Sequence, residues 1–139
     1  MKKDNLIKEL CNAVDALLLT LDEFTKSLSS DMSNQSELLK NYYLFATKIL
    51  SHIQTMDSIS LTIGEDIQAA DKQNDSTEVQ QLGNTFEATL EMRKLCEEFL
   101  SNSEQDIEAK QLELPRLKSY VEIFLRKILI CKSDLTKFT

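Results

Sequence analysis

The apolar residues between Leu39 and Ala70 recur at alternating steps of three and four residues, and only Ser60 interrupts them with a polar side chain. Such a repeat places all of its members on one side of an α-helix and is typical of long helices that pack together as in coiled coils. At ~1.5 Å per residue, the stretch predicts a helix about 48 Å long, which needs packing partners along its whole length. The repeat runs through Leu39, Tyr42, Ala46, Ile49, Ile53, Met56, Ser60, Ile63, Ile67 and Ala70.

Two more repeats of this kind predict a helix before the long one and a helix at the end of the chain. A less regular apolar stripe from Val79 to Leu100 predicts another helix, which follows the long one. After Leu100 only Ile107 and Leu112 continue that stripe. The first repeat runs through Ile7, Leu10, Val14, Leu17, Leu21, Phe24 and Leu28, and the last through Leu114, Leu117, Val121, Phe124, Ile128, Cys131, Leu135 and Phe138.

Capping residues and the single proline set the helix boundaries. Asn34 with Glu37, and Asp75 with Glu78, have the spacing of capping boxes, and Pro115 suits the first turn of a helix. The predicted helices span residues 4–28, 34–71, 76–111 and 115–137. They form one domain over residues 1–139, an all-α elongated antiparallel bundle of about four helices with a long, coiled-coil-like central hairpin.

The unequal lengths of the predicted helices indicate a stalk. If neighbouring helices are antiparallel, the shorter first and last helices cover only part of the central hairpin, and its tip near residues 71–77 projects as two helices. Exposed apolar stripes of that kind usually mark a docking site for a partner. In the alternative arrangement, another chain completes the bundle around the hairpin. The candidate partner-binding residues are Ile59, Ile63, Ile67, Val79, Leu82 and Phe86.

Composition and charge support a helical protein that does not bind nucleic acid. The chain has 2 Gly, 1 Pro and no Trp, too little turn punctuation for a sheet protein. Its net charge is −7, and residues 1–112 carry 10 Lys or Arg against 20 Asp or Glu. Contacts with phosphates need clustered cations, which this acidic body lacks. We interpret the acidic run with Glu104, Asp106 and Glu108 as a solvated helix face.

Residues that could carry enzyme chemistry are few and scattered. His52 is the only histidine, so the paired Glu-x-x-His motifs of four-helix di-iron proteins are absent from the sequence. Cys11, Cys96 and Cys131 form no CxxC pair and lie on or beside apolar stripes, where thiols are usually core residues. No phosphate-binding loop or hydrolase motif is present. We therefore expect no enzymatic activity, cofactor or metal.

Acidic residues near the start of the chain interrupt what a secretory signal would need as its apolar region. The sequence also contains no apolar run near the ~20 residues of a membrane span. We expect a cytoplasmic or nuclear location.

Two functional hypotheses follow. In the first, the protein is a non-enzymatic helical scaffold or adaptor subunit that binds other helical or coiled-coil proteins, as part of a hetero-complex or as a homodimer. In the second, the apolar and basic last helix lies on a membrane surface. The structural alternative is that this basic, apolar helix packs against the acidic remainder of the bundle. Its candidate residues are Arg116, Lys118, Arg126, Lys127 and Lys132.

Overall fold

Four helices account for nearly all of the residues that the structure describes. The computed structural model describes residues 2–28 and 34–136, with side chains for residues 5–28 and 34–135. Over these residues it contains no strand, which confirms the all-α prediction. The predicted link at 29–33 and the predicted end of the last helix at residue 137 lie outside the described residues. The helices are α1 (Lys2–Leu28), α2 (Gln35–Lys72), α3 (Ser76–Glu108) and α4 (Leu114–Thr136).

The helices pack as an antiparallel bundle in which each packs mainly against two neighbours, α1 and α3 also touch across the core, and α2 and α3 form the most extensive pair. One continuous cluster of buried apolar side chains connects all four. Ion pairs between exposed edges show the register of each pair: Glu23 with Lys48 for α1 and α2, Asp57 with Arg93 for α2 and α3, Glu98 with Lys127 for α3 and α4, and Asp15 with Lys132 for α1 and α4.

Helix α1 lies further along α2, towards the tip of the hairpin, than the sequence predicts. Thr20 Oγ1 lies 2.8 Å from His52 Nε2. Because both helices rise by ~1.5 Å per residue, this register places Leu28 opposite about residue 44 of α2. The first two turns of α2 therefore extend beyond the end of α1, whereas the short predicted link between these helices places the two ends side by side.

The same displacement carries the start of α1 towards the tip of the hairpin. Leu6, Ile7 and Leu10 are buried, and Leu6 and Leu10 belong to the common core. The predicted two-helix stalk is therefore wrong: α1 packs along that part of the hairpin and covers it. The Glu98–Lys127 register places the described end of α4 opposite about residue 89 of α3, so α4 is the helix that stops short of the tip.

The predicted caps of α2 and α3 are confirmed. The Asn34 side chain accepts a hydrogen bond from Ser36 N at 2.9 Å, and the Asp75 side chain accepts one from Glu78 N at 3.2 Å. Short polar side chains in these positions satisfy amide groups that have no partner within the helix.

Both long helices of the hairpin end in Schellman motifs. After α2, Asn74 adopts a left-handed conformation with φ 57° while Asp75 N donates to Ala70 O at 3.0 Å. After α3, Lys110 has φ 57° and Gln111 N donates to Asp106 O at 2.8 Å. This motif turns the chain back at once, so α3 ends at Glu108 and not at the predicted residue 111.

Aromatic side chains join the four helices at the centre of the bundle. Phe24 of α1 stacks on Phe45 of α2 with ring centroids 3.9 Å apart. Phe99 of α3 lies 5.4 Å from Phe45, edge to face, and 5.2 Å from Phe124 of α4. Each of these rings is buried, so the cluster fixes the relative positions of helices that are distant in sequence.

Candidate functional site

The predicted partner-binding stripe lies largely inside the bundle. Ile59, Ile63 and Leu82 are buried in the common core, so they present no free surface in this structure. The physical reason is the displacement of α1, which covers the part of the hairpin that the sequence predicts to be an uncovered stalk. The other three residues of the stripe are half-buried and pack against the edge of the core, where they stay candidates for partner contact: Ile67, Val79 and Phe86.

A different apolar line lies on the outside of α2. Tyr43, Leu50 and Leu61 are spaced by seven and eleven residues, which at 3.6 residues per turn places them on one side of the helix. Their exposed fractions lie between 53% and 68%. Leu90 of α3, also exposed, lies across from Leu61 in the register that the Asp57–Arg93 contact sets. We call these four residues the outer ladder.

Charged side chains accompany the outer ladder. The Arg93 guanidinium, between Leu50 and Leu61 in register, pairs with Asp57 of α2 and with Glu97 one turn along α3. These contacts are exposed, and surface ion pairs of this type contribute little to stability. Asp57 lies seven residues after Leu50 on the same side of α2, so this ion pair separates Tyr43 and Leu50 from Leu61 and Leu90 within the ladder.

The sequence contained part of the signal for the outer ladder. Leu50 and Leu61 lie outside the three-four repeat and make α2 apolar on two sides. The repeat by itself does not say which of the two apolar sides faces the core, and the packing of α1 and α3 decides it.

The apolar side of α4 faces the core, and three of its five candidate basic residues contact acidic residues of the bundle. Lys132 Nζ lies 2.8 Å from Asp15, Lys127 Nζ lies 3.9 Å from Glu98, and Arg116 pairs with Asp106. Among the described residues, Lys118 and Arg126 form no ion pair. The inward residues of α4 are Leu117, Val121, Phe124, Ile128, Cys131 and Leu135.

Asp106 forms a compact polar cluster with α4. Its carboxylate accepts two hydrogen bonds from Arg116, both at 2.8 Å, and one from the Tyr120 hydroxyl at 2.6 Å. Asp106 is only 6% exposed, so its interpretation as part of a solvated face is wrong. The run of charges gave no hint of this because the basic partner lies ten residues later, beyond the turn. The cluster fastens the start of α4 to the end of α3.

The Asp106 cluster makes stability depend on pH. Hydrogen bonds from Arg116, and then from Tyr120, lower the pKa of the Asp106 carboxyl below its ordinary value of about 3.9. A group with a lowered pKa stabilises the fold fully above its unfolded pKa, and this stability is lost as the pH falls through the folded pKa. Because Arg116 is half exposed, we expect Asp106→Asn to cost about 1.5 kcal/mol at pH 7, and less on acidification.

Urea unfolding of wild type and Asp106→Asn at pH 7 and at pH 3 measures this effect. Glu108→Gln, an exposed change two residues away, is the control and should leave stability unchanged. A wild-type advantage over Asp106→Asn that persists undiminished in acid would contradict the assigned ionic role of Asp106.

Burial between the helices also shifts the pKa values of other titratable side chains. Burial lowers the pKa of His52, whose ring contacts Thr20 between α1 and α2. Burial raises the pKa of the Cys96 thiol to about 12 and that of the Tyr42 hydroxyl to about 12. The described residues include no group of three or more His, Cys, Asp or Glu side chains placed to hold a metal ion.

None of the helices, over the residues that the structure describes, combines the length and apolar content that a membrane-spanning segment needs. No protein-family model, no curated protein and no solved structure matches the chain.

Proposed function

We propose that the protein is a non-enzymatic adaptor subunit that binds a helical segment of another protein in a cytoplasmic or nuclear assembly. The outer ladder carries this proposal. Tyr43, Leu50 and Leu61 form one exposed line on the longest helix, and Leu90 extends it across the groove to α3. Four large apolar side chains along one side of the hairpin, with the Asp57–Arg93 ion pair among them, offer the mixture of apolar and charged contacts that protein interfaces use.

The dimensions of the outer ladder suit a helix as the partner. Tyr43 and Leu61 are 18 residues apart, which corresponds to about 27 Å along α2 at ~1.5 Å per residue. A partner helix of about five turns, with apolar side chains every three or four residues, covers that length. Apolar side chains spaced by whole helical turns are the contacts that helix-in-groove recognition uses.

Site-specific photocrosslinking in cells tests the proposal. A photoreactive amino acid at position 50 or 61 should yield one dominant covalent adduct, because both side chains face the same partner. The matched control is position 55, where Thr55 is also exposed on α2 but lies about one third of a turn away from the ladder. The captured protein is then identified, purified and measured for direct binding to the adaptor.

Direct binding should weaken more than tenfold when Leu50 and Leu61 are both changed to Asp, and helix content should not change because both side chains are exposed. Thr55→Asp should bind as wild type does. Equal crosslinking from all three positions, or unchanged binding of the double variant, would contradict the assignment of the ladder.

A further inference from the structure

The first half of α1 lies over the tip half of the hairpin. Leu6, Leu10 and Val14 recur every four residues, and none of them is more than 5% exposed. The Thr20–His52 contact places Leu10 opposite about residue 62 of α2. We call residues 5–14 of α1 the cover. The buried apolar residues of the hairpin at this level form the covered floor: Ile59, Ile63 and Leu82.

The cover lacks the polar contacts that the second half of α1 makes. Among the described side chains of residues 5–14, none forms an ion pair or a hydrogen bond with another helix. The second half has such contacts at Asp15, Thr20 and Glu23. The Asp15–Lys132 ion pair also places the described end of α4 opposite about residue 11 of α1. The described part of α4 therefore does not reach the first two turns of α1.

The core side of α3 at the level of the cover is partly polar. Leu82 is followed by Thr85 and Thr89, both fully buried. Their hydroxyls donate to carbonyl oxygens one turn back in α3, that of Gln81 at 3.1 Å and that of Thr85 at 2.8 Å. Because these hydroxyls are paired within α3, lifting the cover leaves neither of them without a partner. Threonine also buries less apolar area than leucine, so the cover gains less from these two positions.

We propose that the cover is displaceable, and that an amphipathic helix of a partner protein takes its place on the covered floor. The structure shows which chemistry this floor accepts, because α1 already occupies it with leucine and valine side chains at intervals of four residues. The partner helix therefore carries large aliphatic side chains at three successive turns. A second copy of the chain gains nothing by binding here, because its own α1 covers its own floor.

The cover is then an autoinhibitory contact. A partner's affinity is reduced by the fraction of molecules in which the floor is open, so a change that loosens the cover raises that affinity. This inference goes beyond the outer ladder and does not depend on it. Leu61 of the ladder is 68% exposed, whereas Ile63 of the covered floor is fully buried.

Hydrogen exchange of the wild-type protein tests whether the cover opens separately. We expect the amides of residues 7–14 to exchange ~100-fold faster than those of residues 17–24, because the cover opens without unfolding of the bundle. Both segments lie beyond the first four amides of α1, which have no partner within the helix. Equal protection of the two segments would overturn the proposal, because α1 would then open only together with the whole bundle.

A fluorescent peptide with the sequence of residues 2–16 is the probe for binding to the full-length protein. Leu6→Ala should have opposite effects in the two molecules. In the protein it loosens the cover and should strengthen binding about tenfold, whereas in the peptide it removes an anchor and should weaken binding about tenfold. Asn12→Ala is the matched control, because Asn12 is exposed on α1, and it should leave binding unchanged in either molecule.

Three binding results would also overturn the proposal. The first is no binding of the peptide by either the wild-type or the Leu6→Ala protein. The second is binding that Leu6→Ala weakens when the protein carries it. The third is binding that the Leu50→Asp, Leu61→Asp variant abolishes, which would place the peptide on the outer ladder. Hydrogen exchange uses the wild-type protein and decides the matter even if Leu6→Ala does not fold. Because crosslinking from positions 50 and 61 reports on the outer ladder, either proposal can fail while the other succeeds.

Discussion

Replacing Ile63 by Asp is expected to unfold the protein or leave it close to unfolding. Ile63 is fully buried in the common core, at the part of the bundle where α1 covers the central hairpin. Loss of a buried isoleucine costs about 2–5 kcal/mol, and an unpaired buried carboxyl group adds to that cost. The sum is comparable with the ~5–15 kcal/mol by which most domains are stable. Circular dichroism during thermal and urea unfolding measures the loss.

Leu61→Asp is the matched control for this prediction. It places the same charge two residues away on α2, at a side chain that is 68% exposed, and should change stability by no more than about 0.5 kcal/mol. An Ile63→Asp variant as stable as wild type would contradict the buried position of this residue and return the original stripe to the surface as a docking site.

Phe99→Ala is expected to have the next largest effect on stability. Phe99 contacts Tyr42 and Phe45 of α2 and Phe124 of α4, and Phe45 in turn stacks on Phe24 of α1. Truncating a buried phenylalanine costs about 3–5 kcal/mol because it removes apolar burial and leaves a cavity. Urea unfolding at 25 °C measures this cost.

Leu90→Ala on the same helix controls for the loss of a large side chain. Leu90 is partly exposed, so its truncation should cost about 1 kcal/mol or less. A double-mutant cycle with Phe45→Leu and Phe99→Leu should give a coupling of about 0.5–1.5 kcal/mol. Additive effects of the two substitutions would mean that the rings do not stabilise the bundle as a cluster.

The sequence predicted the helices well because each of them carries a strong local signal. The three-four repeats identify the helical segments, and Asn34 and Asp75 mark where two of them begin. These signals depend on residues within one or two turns of each other. The resulting boundaries differ from those of the structure by no more than three residues, at the end of α3.

The register between helices was not predictable in the same way. A repeat of apolar residues fits a neighbouring helix almost equally well after a shift of one heptad, so the pattern alone cannot say how far α1 travels along α2. The prediction of a bare stalk followed from joining the helix ends directly. Burial of Leu6 and Leu10 shows that α1 lies along the tip half of the hairpin. In that arrangement Ile63 is buried and Leu61 is the exposed apolar residue.

Asp106 illustrates a second limit of sequence reasoning. Glu104, Asp106 and Glu108 look alike in the sequence, but only Asp106 is buried. Its partners Arg116 and Tyr120 approach it because the Schellman motif at Lys110 reverses the chain. A pairing that depends on the geometry of a turn cannot be read from the spacing of charges alone.

The mass of the purified protein in solution, measured by light scattering over a wide range of concentration, shows whether one chain completes its own core and leaves the outer ladder free for a different protein. We expect a well-folded helical monomer of 15.9 kDa at every concentration. A stable dimer that Leu50→Asp and Leu61→Asp dissociate would contradict it, because the ladder would then be occupied by a second copy of the chain.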